Sequence, residues 1–289
     1  MSQPPEVYAG VELGGTKCIA ILARGPNAIV GRETVPTTTP DETLGALARI
    51  LSDWRGEGYA ALGIGSFGPL DLQQGAIAST PKPGWRGAAV RERLRAAAEV
   101  PTNFDTDVNG AALAEMRWGA GHGFDDFAYI TVGTGVGVGL IVNGKPTRGF
   151  GHCELGHIRV VRLPGDEFRG SCPFHGDCVE GLASGPSLQA RVGARADEIA
   201  NDHAVWESVS SALAQLCHAI VCAAAPQAIA IGGGVVEKRP HLLGRIERML
   251  RESLNFYADL PRSPYVVAPE LGPNAGPLGA IALAMTAQP

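Results

Sequence analysis

A chain of 289 residues and 30.0 kDa is long enough for two modest lobes or one large domain. Its net charge of -5 and pI near 5.8 argue against a general nucleic-acid binder, and no apolar run approaches the roughly 20 residues of a bilayer span. The 39 glycines cluster beside β-branched runs, the pattern of turns where backbone comes close to a ligand.

The opening MSQPPE shows no signal peptide and runs directly into the strand-like VYAGV, so a reducing cytosol is expected. Residues 7–12 lead through the turn LGGTK (13–17) into a second strand over 18–23. Thr39, Pro40, Asp41 and Glu42 form a capping-box start, and Leu44, Leu47, Ala48 and Leu51 share the apolar face of the helix it opens. The segment ALGIGSFGP (61–69) reads as a strand ending in glycines, residues 91–98 as a charged amphipathic helix, and residues 107–118 as a helix starting at the acidic run FDTD. The stretch GAGHGFDD (119–126) breaks the periodicity and marks a lobe boundary. Beyond it the first pattern recurs: a strand over 127–132, the turn GTGVG (133–137), a strand over 138–142, and later the strand-plus-glycine run AIAIGGGVV (228–236). Helices are expected over 205–225, 244–257 and 277–286. Two lobes of similar plan with a ligand between them is the simplest architecture.

Neither glycine turn carries a Rossmann or P-loop signature. Each can still bind phosphate, because its glycines expose consecutive N–H groups and a Thr hydroxyl adds a donor. With the glycines after the 228–232 strand, the pair of turns points to a nucleotide. Asp107, at the start of a helix, is the candidate general base, since the positive helix end favours its ionised form; Asp105 competes for that role and for the N-cap.

Between Glu154 and Glu180 the chain carries ELGH (154–157) and CPFHGDCVE (172–180). His157, Cys172, His175 and Cys178 fall at spacings that close a tetrahedral zinc shell. Zinc would fix the backbone that carries Glu154 and Glu180, and immobile carboxylates suit a polyhydroxyl substrate. A Cys172–Cys178 disulfide and plain buried thiols are the alternatives, and His152 and Cys153 stand close enough to compete as ligands. Cys18, Cys217 and Cys222 sit in apolar runs and read as core residues.

In this order the segments ELGGTK (12–17), GSFGPLD (65–71), TPKPGW (80–85), DTDVN (105–109), TVGTGVG (131–137), ELGH, the cysteine run and IGGGV (231–235) resemble the ROK sugar kinases, and the cysteine run resembles their zinc-containing fructokinase branch. The resemblance covers nearly the whole chain. It implies an α/β two-lobe fold, like that of actin and the heat-shock chaperone ATPases, with duplicated ribonuclease H-like domains and a cleft between lobes. The lobes would be 1–118, with the closing helix at 276–289 packing back, and 119–275 with the zinc site. It implies ATP-dependent phosphorylation of a hexose, fructose to fructose 6-phosphate first, with glucose or mannose kinase activity or a non-catalytic sugar sensor as alternatives. A sensor of this family carries a helix-turn-helix before the first strand; here the strand begins by about Val7.

The resemblance also assigns roles. Asp107 would be the base on the sugar hydroxyl. Glu154, His157 and Glu180 would hold the sugar, with Gly65, Ser66, Thr80 and Thr106 lining its other side. Gly14, Gly15, Thr16 and Lys17 would face the terminal phosphates, with Thr131, Gly133 and Thr134 meeting them from the second lobe and Gly233 and Gly234 near the nucleoside. Implied cofactors are ATP, Mg and Zn; implied partners are the hexose and a second copy of the chain, with no nucleic acid and no membrane, in the cytoplasm. The chain departs from the common family pattern at Glu12 (often Asp, facing a magnesium-bound water), Thr106 (often Asn) and His175 (usually Cys).

Overall fold

Both glycine turns close antiparallel hairpins in the computed structural model, which describes residues 6–261 and 264–288. The opening segment read above as lacking a leader lies, apart from Glu6, outside the described residues. β1 (Tyr8–Leu13) and β2 (Lys17–Ala23) pair with Leu13 opposite Cys18, and β3 (Ile29–Pro36) joins β2. α1 (Pro40–Asp53) starts where its cap predicts: the Thr39 side chain accepts from the Glu42 N–H, and Leu44, Leu47 and Leu51 are buried, each contributing about 1.5–3 kcal/mol. β4 (Leu62–Ser66) lies parallel to β1, followed by the short hairpin β5 (Leu70–Asp71) and β6 (Ala76–Ile77) and by α2 (Val90–Ala98). β7 (Thr102–Thr106) lies parallel to β4 and runs straight into α3 (Asp107–Trp118).

The plan then repeats. β8 (Phe127–Val132) and β9 (Val136–Val142) form the second hairpin, with β10 (Lys145–Pro146) beside β9. After α4 (Val179–Ala183), α5 (Gly185–Val192) and α6 (Val205–Ala224), β11 (Ala228–Gly232) pairs parallel with β8. α7 (His241–Leu254) leads to β12 (Val266–Val267), parallel to β11, and the last helix is α8 (Ala275–Ala284). The first sheet has the order β3-β2-β1-β4-β7 and the second β10-β9-β8-β11-β12. Matched strand for strand, these are one topology used twice.

The chain divides into two units, each with its own apolar core. The first holds 1–119, 147–152 and 273–289, and the second holds 120–146 and 153–272. Residues 147–152 therefore pack with the first unit, whereas the sequence reading places them in the second lobe. Two long-range contacts draw them there: Arg148 pairs with the buried Asp105, and the Leu70 N–H donates to His152 Nε2 at 2.8 Å. In the first unit α8 packs on β1, β4 and α3.

Three local expectations need correction. α7 ends at Leu254, not near Tyr257, because Asn255 and Phe256 take left-handed φ values of 45° and 61°. Cys222 is exposed, one position past the buried Ile220 and Val221 on α6, while Cys18 and Cys217 are core residues as expected. By length and composition α6, at 20 residues, passes the test for a bilayer span. It is the central core helix of the second unit, with Trp206, Val209, Leu213, Leu216 and Ile220 buried.

Candidate active site and metal centre

In the first unit the β1–β2 turn brings Gly14, Gly15, Thr16 and Lys17 to one tip. The Gly14 N–H donates to the Lys17 carbonyl at 3.1 Å, and Thr37 Oγ1 donates to the Gly14 carbonyl at 2.8 Å. Thr16 and Lys17 are exposed. Glu12, at the end of β1, turns its carboxylate against the first turn of α8. A Cβ on Gly276 would lie 2.0 Å from Glu12 Oε1, so a side chain there would push the Glu12 carboxylate aside. Burial pushes the Glu12 carboxyl above its usual range, and the nearby charges of Lys17 and Arg32 oppose that rise.

The parallel strands β4 and β7 deliver Gly65, Ser66, Thr106 and Asp107 side by side. Gly65 pairs with Asp105 and Ser66 with Thr106, and a Cβ on Gly65 would be 3.3 Å from Asp107 Cα. Strand ends meeting a helix start are the usual ligand position of such sheets. Thr106, not an aspartate, is the N-cap of α3: its Oγ1 accepts from the Asn109 N–H at 3.1 Å. Asp107 is the first helical residue, partly exposed, at the positive helix end. Asp105 is fully buried; its Oδ1 accepts from the Thr106 N–H (2.7 Å) and Asn109 Nδ2 (2.8 Å), and its Oδ2 pairs with Arg148. Asp105 is thus committed to holding the strand end together. Thr80 sits in the turn after β6, its Oγ1 accepting from the Lys82 N–H at 3.3 Å.

In the second unit the β8–β9 turn spans Gly133, Thr134 and Gly135, with the Gly133 N–H donating to the Gly135 carbonyl at 2.9 Å. Gly233 follows β11 and lies against this hairpin: the Val235 N–H reaches the Val132 carbonyl at 3.0 Å, and a Cβ on Gly233 would be 2.8 Å from Thr131 Oγ1. Thr131, Gly133, Thr134, Gly233 and Gly234 are thereby one cluster. The residue after the turn, Val136, is held from both sides. Its N–H donates to Glu180 Oε2 at 3.1 Å, and its carbonyl would be 1.8 Å from a Cβ on Gly156. That approach is the physical reason for the glycine of the ELGH segment.

His157, Cys172, His175 and Cys178 place their ligand atoms within 4.8 Å of one another. Cys172 Sγ lies 3.7 Å from His157 Nδ1 and 3.6 Å from His175 Nδ1, and Cys178 Sγ lies 3.6 Å from His157 Nδ1. A tetrahedral zinc, with bonds of about 2.3 Å to sulfur and about 2.0 Å to nitrogen, spans S···N edges of roughly 3.5 Å. The donor set therefore fits zinc. Cys172 and Cys178 form no disulfide. Burial pushes the Cys178 thiol up to about 11, the Gly181 N–H opposes the shift and Cys172 adds to it; a bound cation is what would hold two thiolates this close. His152 takes no part in the cluster, since its Nε2 accepts from Leu70. The sequence reading missed Arg148, Lys82 and Gly276 as site-supporting residues. Only the TPKPGW motif hinted at any of them.

The profile of the ROK family matches residues 8–287, and the chain belongs to that family. It is 39% identical over 302 residues to the fructokinase of Zymomonas mobilis, covering 100% of this chain and 99% of that protein. Among solved structures, the ROK hexokinase of Thermus thermophilus superposes with a TM-score of 0.80 at 29% identity, over 96% of this chain and 98% of that one. A ROK family glucokinase from Streptomyces griseus, solved with glucose and AMPPNP, superposes with a TM-score of 0.77 at 27% identity, over 96% of this chain and 99% of that one. The repeated sheet order is thus the actin-like two-lobe ATPase fold of these kinases.

The raised Glu12 carboxyl has a measurable consequence. The folded chain binds the Glu12 proton more tightly than the unfolded chain, so stability falls as pH rises from the ordinary Glu value, about 4.3, through the raised one. Glu12→Gln is expected to melt higher than the parent protein at pH 7, with the gap closing below about pH 4. Thermal melts across that range check this; a gap that does not change with pH would contradict it.

Proposed function

We propose that this chain is an ATP-dependent hexose kinase whose preferred acceptor is fructose, giving fructose 6-phosphate. The observation that carries the reading is Val136: one residue ties the glycine turn suited to phosphate to both carboxylate segments suited to a sugar. The fructokinase relative supports the choice of sugar.

In this reading Gly14, Gly15, Thr16 and Lys17 bind the terminal phosphates of ATP, as do Thr131, Gly133 and Thr134, and Gly233 and Gly234 pass the nucleoside. Magnesium would neutralise phosphate charge, and Glu12, at the foot of the first phosphate turn, is the residue that would hold its water. His157, Cys172, His175 and Cys178 would hold zinc, which would supply rigidity to the sugar segment. His157 uses Nδ1 towards the thiols, so Nε2 is its atom for a sugar hydroxyl. Glu154 and Glu180 accept from sugar hydroxyls, and Gly65, Ser66, Thr80 and Thr106 line the rest of the sugar site. Asp107 takes the proton of the attacking hydroxyl as the sugar O–P bond forms and the bond from the γ-phosphorus to the β–γ bridging oxygen breaks. Such transfer rests on positioning and electrostatics. On the family resemblance we place the enzyme in the cytoplasm as a homodimer.

A site built to bond particular hydroxyls penalises an isomer that leaves a buried acceptor unpaired, by about 1–3 kcal/mol per group. Fructose should therefore exceed glucose and mannose in kcat/KM by at least about tenfold in an ADP-release assay. Glucose ahead of fructose would overturn the substrate, and no ADP release with any hexose would overturn the activity in favour of a sensor. The two aspartates separate by role. Asp107→Asn should keep the melting temperature and lower kcat by roughly 10²-fold or more. Asp105→Asn should lower the melting temperature, since Arg148 loses its buried counter-charge, and should reduce kcat less. A larger kcat loss from Asp105→Asn would contradict the assignment.

A further inference from the structure

We propose that Lys82 is a phosphate-contacting residue of this kinase, gripping the phosphoryl group in transit and the phosphate of the sugar-phosphate product. The proposal rests on the kinase reading above. Lys82 lies in the turn after β6, and that turn is pinned at both ends. On one side the Lys82 N–H donates to Thr80 Oγ1 at 3.3 Å. On the other, the Trp85 N–H donates to the Lys82 carbonyl at 3.3 Å, and Trp85 is itself fully buried. The Trp85 ring meets Phe67 edge-on at 5.3 Å, and its Nε1 donates to the Thr38 carbonyl at 2.9 Å.

From this fixed base Lys82 Nζ donates to the Gly15 carbonyl at 2.5 Å, across 67 residues of sequence. Gly15 is at the exposed tip of the first phosphate turn, and Thr80, two residues from Lys82, is a proposed sugar contact. Lys82 therefore joins the donor side of the reaction to the acceptor side within one unit. Its ammonium has three N–H donors. One caps the Gly15 carbonyl, whose dipole would otherwise oppose a phosphate. Two remain for phosphate oxygens. Among the described residues Lys82 has no carboxylate partner, whereas the charge of Lys17 acts on Glu12. Lys82 forms and breaks no covalent bond; it meets the equatorial oxygens on which charge accumulates during transfer.

The test compares Lys82→Met and Lys82→Arg with the parent enzyme, reading kcat with fructose, the affinities for fructose, ADP and fructose 6-phosphate, and the melting temperature. Lys82→Met is expected to lower kcat about 10²-fold and fructose 6-phosphate affinity about tenfold, with fructose affinity held within about threefold. Lys82→Arg, which keeps charge and donors, should recover part of both losses. A Lys82→Met enzyme with kcat within about threefold of the parent would overturn the proposal. So would a loss of kcat that follows only a fall in melting temperature and ADP affinity, because that is the signature of a strut for the turn. A parent protein inactive on every hexose would defeat the kinase reading itself, whereas an active parent with an active Lys82→Met variant defeats Lys82 alone.

Discussion

The backbone of Val136 is the constraint on which the second unit's site depends. Its N–H is held by Glu180 and its carbonyl leaves no space for a side chain at residue 156. The hairpin turn, the ELGH segment and the start of α4 cannot shift independently. The stretch between them has little regular structure of its own: a 3-10 turn over Leu155–His157 and the isolated bridges Arg159–Cys178 and Cys172–Gly176. Ordering such chain costs about 1–2 kcal/mol per residue. A structural zinc contributes about 10–16 kcal/mol, enough to hold roughly ten residues. The proposed metal is therefore large enough in energy to offset the ordering cost of about half of residues 158–178. An ion pair at the surface, worth about 0–1 kcal/mol, is not.

The two units share one sheet order and one turn position, and they differ in how the turn is equipped. In the first, Glu12, Lys17 and Lys82 surround the glycines with charge, and α8 supplies the glycine that admits the Glu12 carboxylate. In the second, the turn carries no charged side chain of its own, and Glu180 and Gly185 brace it: the Gly185 N–H donates to the Gly133 carbonyl at 2.8 Å. A duplicated topology has thus been divided between an electrostatic half and a rigid half. Asp107 belongs to the first, placed by the Thr106 cap and by the buried Asp105, which pairs with the half-exposed Arg148.

Much of this was legible in the sequence where the signal is local. The Thr39 cap fixed the start of α1, the run FDTD marked the start of α3 at Asp107 although Thr106 is its cap, and the glycine turns located both hairpins. The clustering of His157, Cys172, His175 and Cys178 was legible because short cysteine and histidine spacings leave few geometries. The missed elements lack such signals. β3 is mostly exposed and has no clean alternation, α4 spans only five residues, and β12 only two. α7 kept its apolar face but not its end, which depends on a left-handed Asn255. Arg148 and Lys82 act on partners 43 and 67 residues away, a distance over which periodicity says nothing. ELGH could be recognised as a motif, but the reason for its glycine appears only when Val136 is placed beside it.

The proposed link between metal and sugar is open to direct measurement. Zinc content and fructose affinity, measured on the same samples as a chelator withdraws the metal and as zinc is restored, test it. About one zinc per chain is predicted at the outset, with fructose affinity falling as zinc is lost and returning as it is replaced. A metal-free chain that binds fructose as tightly as the untreated protein would contradict it.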